Sequence, residues 1–146
     1  MTEIVFLDAN IFMYAAGAQH LYKKACVQIL SDVEAGLLEA ALNVEVLQEL
    51  LYRYSHINLA DKGIQLCRRI LHYPLRIWPV TAADARLAID LLDSYHNRGL
   101  KPRDAIHAAT MRNNGVFRIL SADRDFDRLD FVTRIDPLSY MPRRLS

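Results

Sequence analysis

Long apolar runs are missing from this chain. The first one, IVFL (Ile4 to Leu7), meets Asp8 at once, and no later stretch is long enough to cross a bilayer. A charged leader followed by a small-residue cleavage site is also missing, which argues against secretion. Cysteine is scarce: Cys26 and Cys67 lie in separate helix-like segments and read as buried thiols, not as a disulfide or a metal pair. Net charge is nearly absent, at +1, so nothing draws the whole molecule toward nucleic acid or a membrane surface. Lysine is rare as well, with four of 18 basic residues, the other 14 being arginine. Arginine's planar fork suits phosphates and carboxylates, although genomic composition bias accounts for the excess equally well. There is no low-complexity segment, linker or internal repeat. What these absences leave is a cytoplasmic globular chain whose residues 1–146 form a single domain, 52% hydrophobic and 24% charged, large enough to bury a core.

The local patterns alternate between strand and helix. EIVFL is a run of β-formers stopping at Asp8, the pattern of an inner strand. Residues from about His20 to Leu37 repeat Leu21, Ala25, Ile29 and Val33 at helical spacing. LEAAL is a weak strand leading to Asn43, a good N-cap for the helix VEVLQELLYRYS. A further helix spans about Leu59 to His72 and ends before Pro74. After the strand LRIWPV, Thr81 caps a long helix that Gly99 closes. Pro102 opens the helix RDAIHAATMRN, which stops at Asn114-Gly115. FRIL is another strand, and FVTRI is an edge strand. Alternation of this kind predicts an α/β fold: three layers, with a mainly parallel central sheet and helices on both faces. Ligands of such sheets bind beyond the carboxyl ends of the strands, where the strand order reverses.

Acids occupy those positions. Asp8 follows the first strand, with Asn10 two residues on, and Asp123 follows FRIL and Ser121. If the two strands are neighbours, Asp8 and Asp123 face each other. Asp104, in the first turn of the preceding helix, reaches the same rim. Oxygen-rich sites of this type suit Mg²⁺ or Mn²⁺, which activate water and offset charge on a phosphoryl group. Each acid also has a plain structural role: Asp8 as a cap, Asp104 beside a helix dipole, and Asp125, Asp127 and Asp130 as ion-paired turn residues among Arg124 and Arg128. Glu45 and Glu49 share a helix face opposite the apolar Val44, Leu47, Leu50, Leu51 and Tyr54, so periodicity reads both as exposed. Arg103 and Arg124 flank the acids, either to hold a phosphate backbone or to pair locally. His107, a turn after Asp104, invites a general-base role, though in a helix it more readily supports that acid or packs; contact with nucleic acid is a further reading. Tyr14, Tyr22, Tyr52 and Tyr54 either stack on bases or belong to the core.

Taken in order, LDANIFMYA, VLQELLYRY, LKPRDAIHAAT and ILSADRDFD resemble the PIN-domain family of metal-dependent ribonucleases. Many of its small members are VapC-like toxins of toxin–antitoxin pairs. The resemblance covers nearly the whole chain, and the last two motifs are its specific part. It implies Asp8, Glu49, Asp104 and Asp123 as catalytic, metal-binding acids, favouring Glu49 over Glu45 as the second. It also implies Asn10 and Ser121 as polar companions, with Asp127 and Asp125 as auxiliary acids. The family further implies hydrolysis of RNA with Mg²⁺ or Mn²⁺, a homodimer, and a small antitoxin partner. A free-standing processing nuclease and a PIN-fold module that binds RNA or protein without cutting are the alternatives. A haloacid-dehalogenase phosphatase needs a second aspartate where Asn10 stands, and a receiver domain needs a phosphorylatable aspartate that LRIWPV lacks.

Overall fold

The structure, a computed structural model, describes residues 3–141. Five short strands form one parallel sheet: β1 (Val5–Leu7), β2 (Ala40–Asn43), β3 (Arg76–Trp78), β4 (Arg118–Leu120) and β5 (Thr133–Ile135). Their spatial order is β3-β2-β1-β4-β5, so β1 lies at the centre and the direction of progression reverses between β1 and β4. Val5, Phe6 and Leu7 are all buried, which is why this strand is a continuous apolar run without alternation.

Six helices supply the crossovers: α1 (Ala9–Ala16), α2 (Lys23–Glu34), α3 (Val44–His56), α4 (Ala60–Ile70), α5 (Ala82–Tyr95) and α6 (Pro102–Asn113). α1 packs on α2 and α3, α3 packs on α4, and α5 packs on α6. That grouping is what right-handed crossovers produce when β1 to β3 progress one way across the sheet and β3 to β4 returns the other way, one helical layer on each face. The expected three-layer α/β/α architecture is therefore the observed one, and LEAAL and FVTRI both contribute strands.

Two helix limits differ from expectation. α2 begins at Lys23, not near His20, because the Tyr22 amide donates to His20 Nδ1 at 3.2 Å and turns the chain there. The long helix closed by Gly99 ends at Tyr95 and continues only as a 3₁₀ turn, His96–Arg98. Gly99 has φ +88° and lies under the Arg128 guanidinium, where a Cβ would sit 3.2 Å from a guanidinium nitrogen. No helix among the described residues is long and apolar enough to cross a membrane.

Gly63 lets α4 approach α3 closely. A Cβ there would lie 2.7 Å from Tyr54 Cβ, on a buried residue of α3. Gly63→Ala must push α4 outward. Overpacking costs about 1–3 kcal/mol, and the better helix propensity of alanine offsets about 1 kcal/mol of it. We expect a fall in melting temperature of about 2–6 °C in a thermal melt. An unchanged or higher value would show that the two helices do not approach this closely.

Candidate active site at the carboxyl edge of the sheet

Because β1 and β4 are paired, with Leu7 opposite Leu120, the residues that follow them meet. Asp8 is the N-cap of α1, and its Oδ1 accepts the Ala9 amide at 2.8 Å. The other oxygen, Oδ2, accepts from Ser121 Oγ at 2.6 Å and Asn10 Nδ2 at 3.2 Å. Capping therefore uses one oxygen of Asp8, and the second belongs to a knot that joins the ends of both strands. Ser121 Oγ also accepts the Asp123 amide at 3.0 Å, and Asn10 Oδ1 accepts the Ala122 amide at 3.2 Å. Asn10 and Ser121 thus fix where Asp8 and Asp123 point, as companions of the acids should.

Asp104 lies in the first turn of α6, just inside Pro102, and is buried. Its Oδ2 has no hydrogen-bond partner among the described residues. Burial, followed by repulsion from Asp123 and Asp8, pushes its carboxyl up to about 7. Burial also raises Asp8, against the opposing influence of His107 and the Ser121 hydrogen bond. These two acids are thus held in a place that disfavours their charge.

Glu49 corrects the reading of exposed helix glutamates. It is 5% exposed, whereas the apolar Val44 and Leu51 are 45% and 38% exposed. The face of α3 turned inward carries Val46, Glu49, Leu50 and Tyr54. Glu49 is accepted there because α6 brings cationic partners to it. Arg103 Nε lies 3.6 Å from Oε1, and Arg53, one turn on, places its Nε 3.1 Å from Oε2. Burial works to raise the Glu49 carboxyl, but His107, Arg53 and Arg103 outweigh it, and the group is held below its ordinary range. Glu45 is half-buried and lies 3.8 Å from Arg103.

His107 is fully buried against the Phe6 ring, so a direct contact with nucleic acid is not its role here. It faces Asp8 Oδ1 at 3.9 Å and Glu49 Oε1 at 3.6 Å, beyond hydrogen-bond length, and neither ring nitrogen has a hydrogen-bond partner among the described residues. Its influence reaches Asp104, whose charged form it favours, and extends to Asp8 and Glu49 as well.

The acids line one cleft of about 420 Å³, together with Arg53, Lys101 and Arg103. The ligating atoms form two groups, Asp8–Glu49–His107 and Asp104–Asp123–Asp125, each contained within 4.8 Å, with His107 and Asp125 outside the cleft lining. Asp125 pairs with Arg128 and, at 3.4 Å, with Lys101. Asp127 is not brought in: it is exposed and bonds Arg134 of β5 at 2.9 and 3.3 Å. Arg103 is engaged with the glutamates, whereas Arg124 is exposed and forms no ion pair among the described residues. Lys101 and Arg53 were not singled out from sequence. The four-residue step from Glu49 to Arg53 is the pattern that marks the second.

The donor set fits a hard divalent cation. It is rich in carboxylate oxygen, one of its buried oxygens lacks a partner, and its like charges repel until something positive enters.

Comparison with known proteins agrees with this architecture. The family model for the PIN domain matches residues 5–132. Ribonuclease VapC13 of Mycobacterium tuberculosis is 30% identical over 132 residues, spanning 90% of this chain and 99% of that protein. Ribonuclease VapC23 of the same species is 32% identical over 123 residues, 82% of this chain and 93% of that one. Among solved structures, M. tuberculosis VapC20, described as a Sarcin-Ricin loop cleaving toxin, superposes with a TM-score of 0.74 at 19% identity, covering 88% of this chain and 96% of its own. VapBC2 of Rickettsia felis, bound to a promoter DNA fragment, gives 0.70 at 19% identity, covering 90% and 97%. At such identities the structural likeness speaks for the fold.

Proposed function

The chain belongs to the PIN-domain family, alongside the VapC ribonucleases, and from that premise we propose that it is a metal-dependent endoribonuclease acting as the toxin of a toxin–antitoxin pair. One observation carries the chemistry: Asp8, Glu49, Asp104 and Asp123, from four separate segments, line a single cleft in which a buried Asp104 oxygen lacks a partner. Asp104, Asp123 and Asp125 on one side, and Asp8 and Glu49 on the other, are the residues that would hold Mg²⁺ or Mn²⁺. A cation of that class supplies an activated water and offsets charge on the phosphoryl group. The protein's own part is positional. Ser121 and Asn10 orient Asp8, the Asp123 carboxylate is fixed by the Asp125 amide at 2.9 Å, and His107, Arg53 and Arg103 hold the Glu49 carboxyl down. Among the described residues no serine, threonine or cysteine lines the cleft, and in this reading its carboxylates act by placement.

In this reading residues 1–146 work as one nuclease domain in the cytoplasm, as a homodimer, on an RNA substrate. A small antitoxin protein is its partner. The solved relatives include toxin–antitoxin complexes, and this chain carries a surface groove of about 230 Å³ between α1, α2 and α4, lined by Phe12, Ala15, Val27, Leu30 and Leu66 among others, which suits an apolar peptide segment.

The test is incubation of total RNA with the purified chain in magnesium, in EDTA, and with two variants. Glu49→Gln should lower cleavage roughly a hundredfold or more, since a ligand carboxylate is worth several kcal/mol at the transition state. Glu45→Gln should stay within about threefold of the parent, as an outlying, half-exposed charge. RNA that is bound yet uncut in every lane would replace the nuclease with a binding module.

A further inference from the structure

The cleft accounts for a phosphodiester and makes no use of three clustered aromatic side chains that lie outside its lining. Tyr14, at the end of α1, and His20 and Tyr22, in the turn before α2, are in mutual contact. Tyr14 and His20 are 4.5 Å apart at 23°, Tyr14 and Tyr22 5.1 Å at 34°, and His20 and Tyr22 5.7 Å at 16°. The three centroids form a triangle in which His20 is near parallel to each tyrosine, so His20 is the ring on which a further ring would stack. Tyr14 and Tyr22 pack on the core, while His20 is exposed. A segment that only needed anchoring would be served by the two tyrosines; the third ring lies at the surface.

Two routes tie this shelf to the acids. Tyr14 follows Asn10 by four residues, on the same face of α1 and about 6 Å along its axis. Through the other route, Tyr22 Oη donates to Asp136 Oδ2 at 3.3 Å, Arg134 donates to that same oxygen at 3.3 Å, and Arg134 donates to the Ser121 carbonyl at 3.0 Å. The shelf is also fixed before any ligand arrives. The Tyr22 amide holds His20 Nδ1, the Lys23 amide bonds the His20 carbonyl at 3.1 Å, and Lys23 Nζ bonds the Gly17 carbonyl. Arg124, next in sequence to Asp123, is close enough to act electrostatically on Tyr22 and has no ion pair of its own among the described residues.

We propose that the Tyr14–His20–Tyr22 shelf is a subsite for an unpaired base of single-stranded RNA flanking the scissile phosphate, the base stacking on His20 and Arg124 meeting the adjoining phosphate. The proposal rests on the ribonuclease reading for its ligand. Stacking on an aromatic face is tolerant of base identity, so the subsite contributes affinity and register more than sequence choice. An arginine free of carboxylates is the cation best placed for the strand's backbone.

The test uses the full chain carrying Asp104→Asn, with magnesium, and a fluorescein-labelled eight-nucleotide single-stranded RNA followed by anisotropy. Adding His20→Ala should weaken binding about tenfold, and His20→Asn, which keeps an acceptor for the Tyr22 amide but has no ring, should weaken it as much. Arg124→Gln should weaken binding and flatten the logarithmic salt dependence by about one. A single abasic nucleotide is then moved along the probe. At one position the parent should lose about tenfold, and the His20→Ala protein should lose nothing further there. Equal binding by His20→Ala and parent, the same abasic loss in both, or no binding of any probe would overturn the shelf. Cleavage by the chain with Asp104 intact is scored separately. A shelf that stacks in a chain that never cuts would end the ribonuclease reading alone, whereas cutting with His20→Ala unchanged in affinity and KM would end the shelf alone.

Discussion

Asp104→Asn is expected to abolish RNA cleavage, by roughly 10³-fold or more, and at the same time to make the metal-free chain more stable. The two effects have one origin. Asp104 is buried, one of its oxygens is unpartnered, and Asp123 and Asp8 repel it, so its carboxyl is pushed up to about 7. A side chain that resists ionising in the empty protein is poor for stability and well suited to receiving a cation. The isosteric amide removes the charge and offers an N–H to the neighbouring carboxylates. From the size of the displacement the gain is of the order of 2–4 kcal/mol, or about 4–16 °C in melting temperature for a chain of this size. The pair of measurements is a cleavage time course and a melt in EDTA. Lost activity with a lowered melting temperature would mean that Asp104 is a structural acid and that the cleft has another purpose.

The second large effect concerns metal and pH together. Magnesium or manganese at about a hundred times its dissociation constant should stabilise the folded chain by about 2.7 kcal/mol, some 5–11 °C, and Asp8→Asn should remove that gain. Asparagine still caps α1, so the substitution takes away charge with little cost to the helix. In EDTA the wild-type chain should lose stability as pH rises from about 5 to 7.5. The sign follows from Asp104. Its folded value, about 7, lies above the ordinary 3.8, so between them the folded state holds more protons than the unfolded one and stability declines with rising pH. Asp8 is raised also and adds to the same slope. Glu49 is lowered, so what it contributes is present above its ordinary 4.5 and is lost only on acidification below that, outside this window. Saturating cation should flatten the slope, and so should Asp104→Asn without cation. Melting temperatures indifferent to metal at every pH would dismantle the cation site.

Much of this arrangement was legible because it depends on local chemistry. An apolar run that stops at Asp8, and another that stops at Ser121 before Asp123, place acids at strand ends, and strand–helix alternation makes those strands parallel. Glu49 was not legible from periodicity. A helical pattern divides residues by affinity for an apolar core, and the inward face of α3 also meets Arg103 and His107 from α6, which no pattern within α3 reports. Resemblance to the PIN family supplied that residue. The single cluster expected from sequence became two groups for the same reason: how α3 and α6 lean on each other is a tertiary fact. Asp127 illustrates the opposite limit. Its charge looked like part of the acidic run, yet its partner is Arg134, on a strand that the sequence leaves unconnected to it. The early turn at His20 depends on one side chain accepting an amide and leaves no periodic trace.

The knot between Asp8, Asn10 and Ser121 joins segments separated by more than a hundred residues. A ribosome that has made β1 through β3 has exposed a chain with Asp8 and Glu49 in hand but no Ser121 to aim the first and no Asp123 to complete the cleft. Long-range pairing of this sort forms late, because the loop it closes must first be ordered. The cleft is therefore complete only once β4 lies beside β1 and carries Ser121 and Asp123 to Asp8.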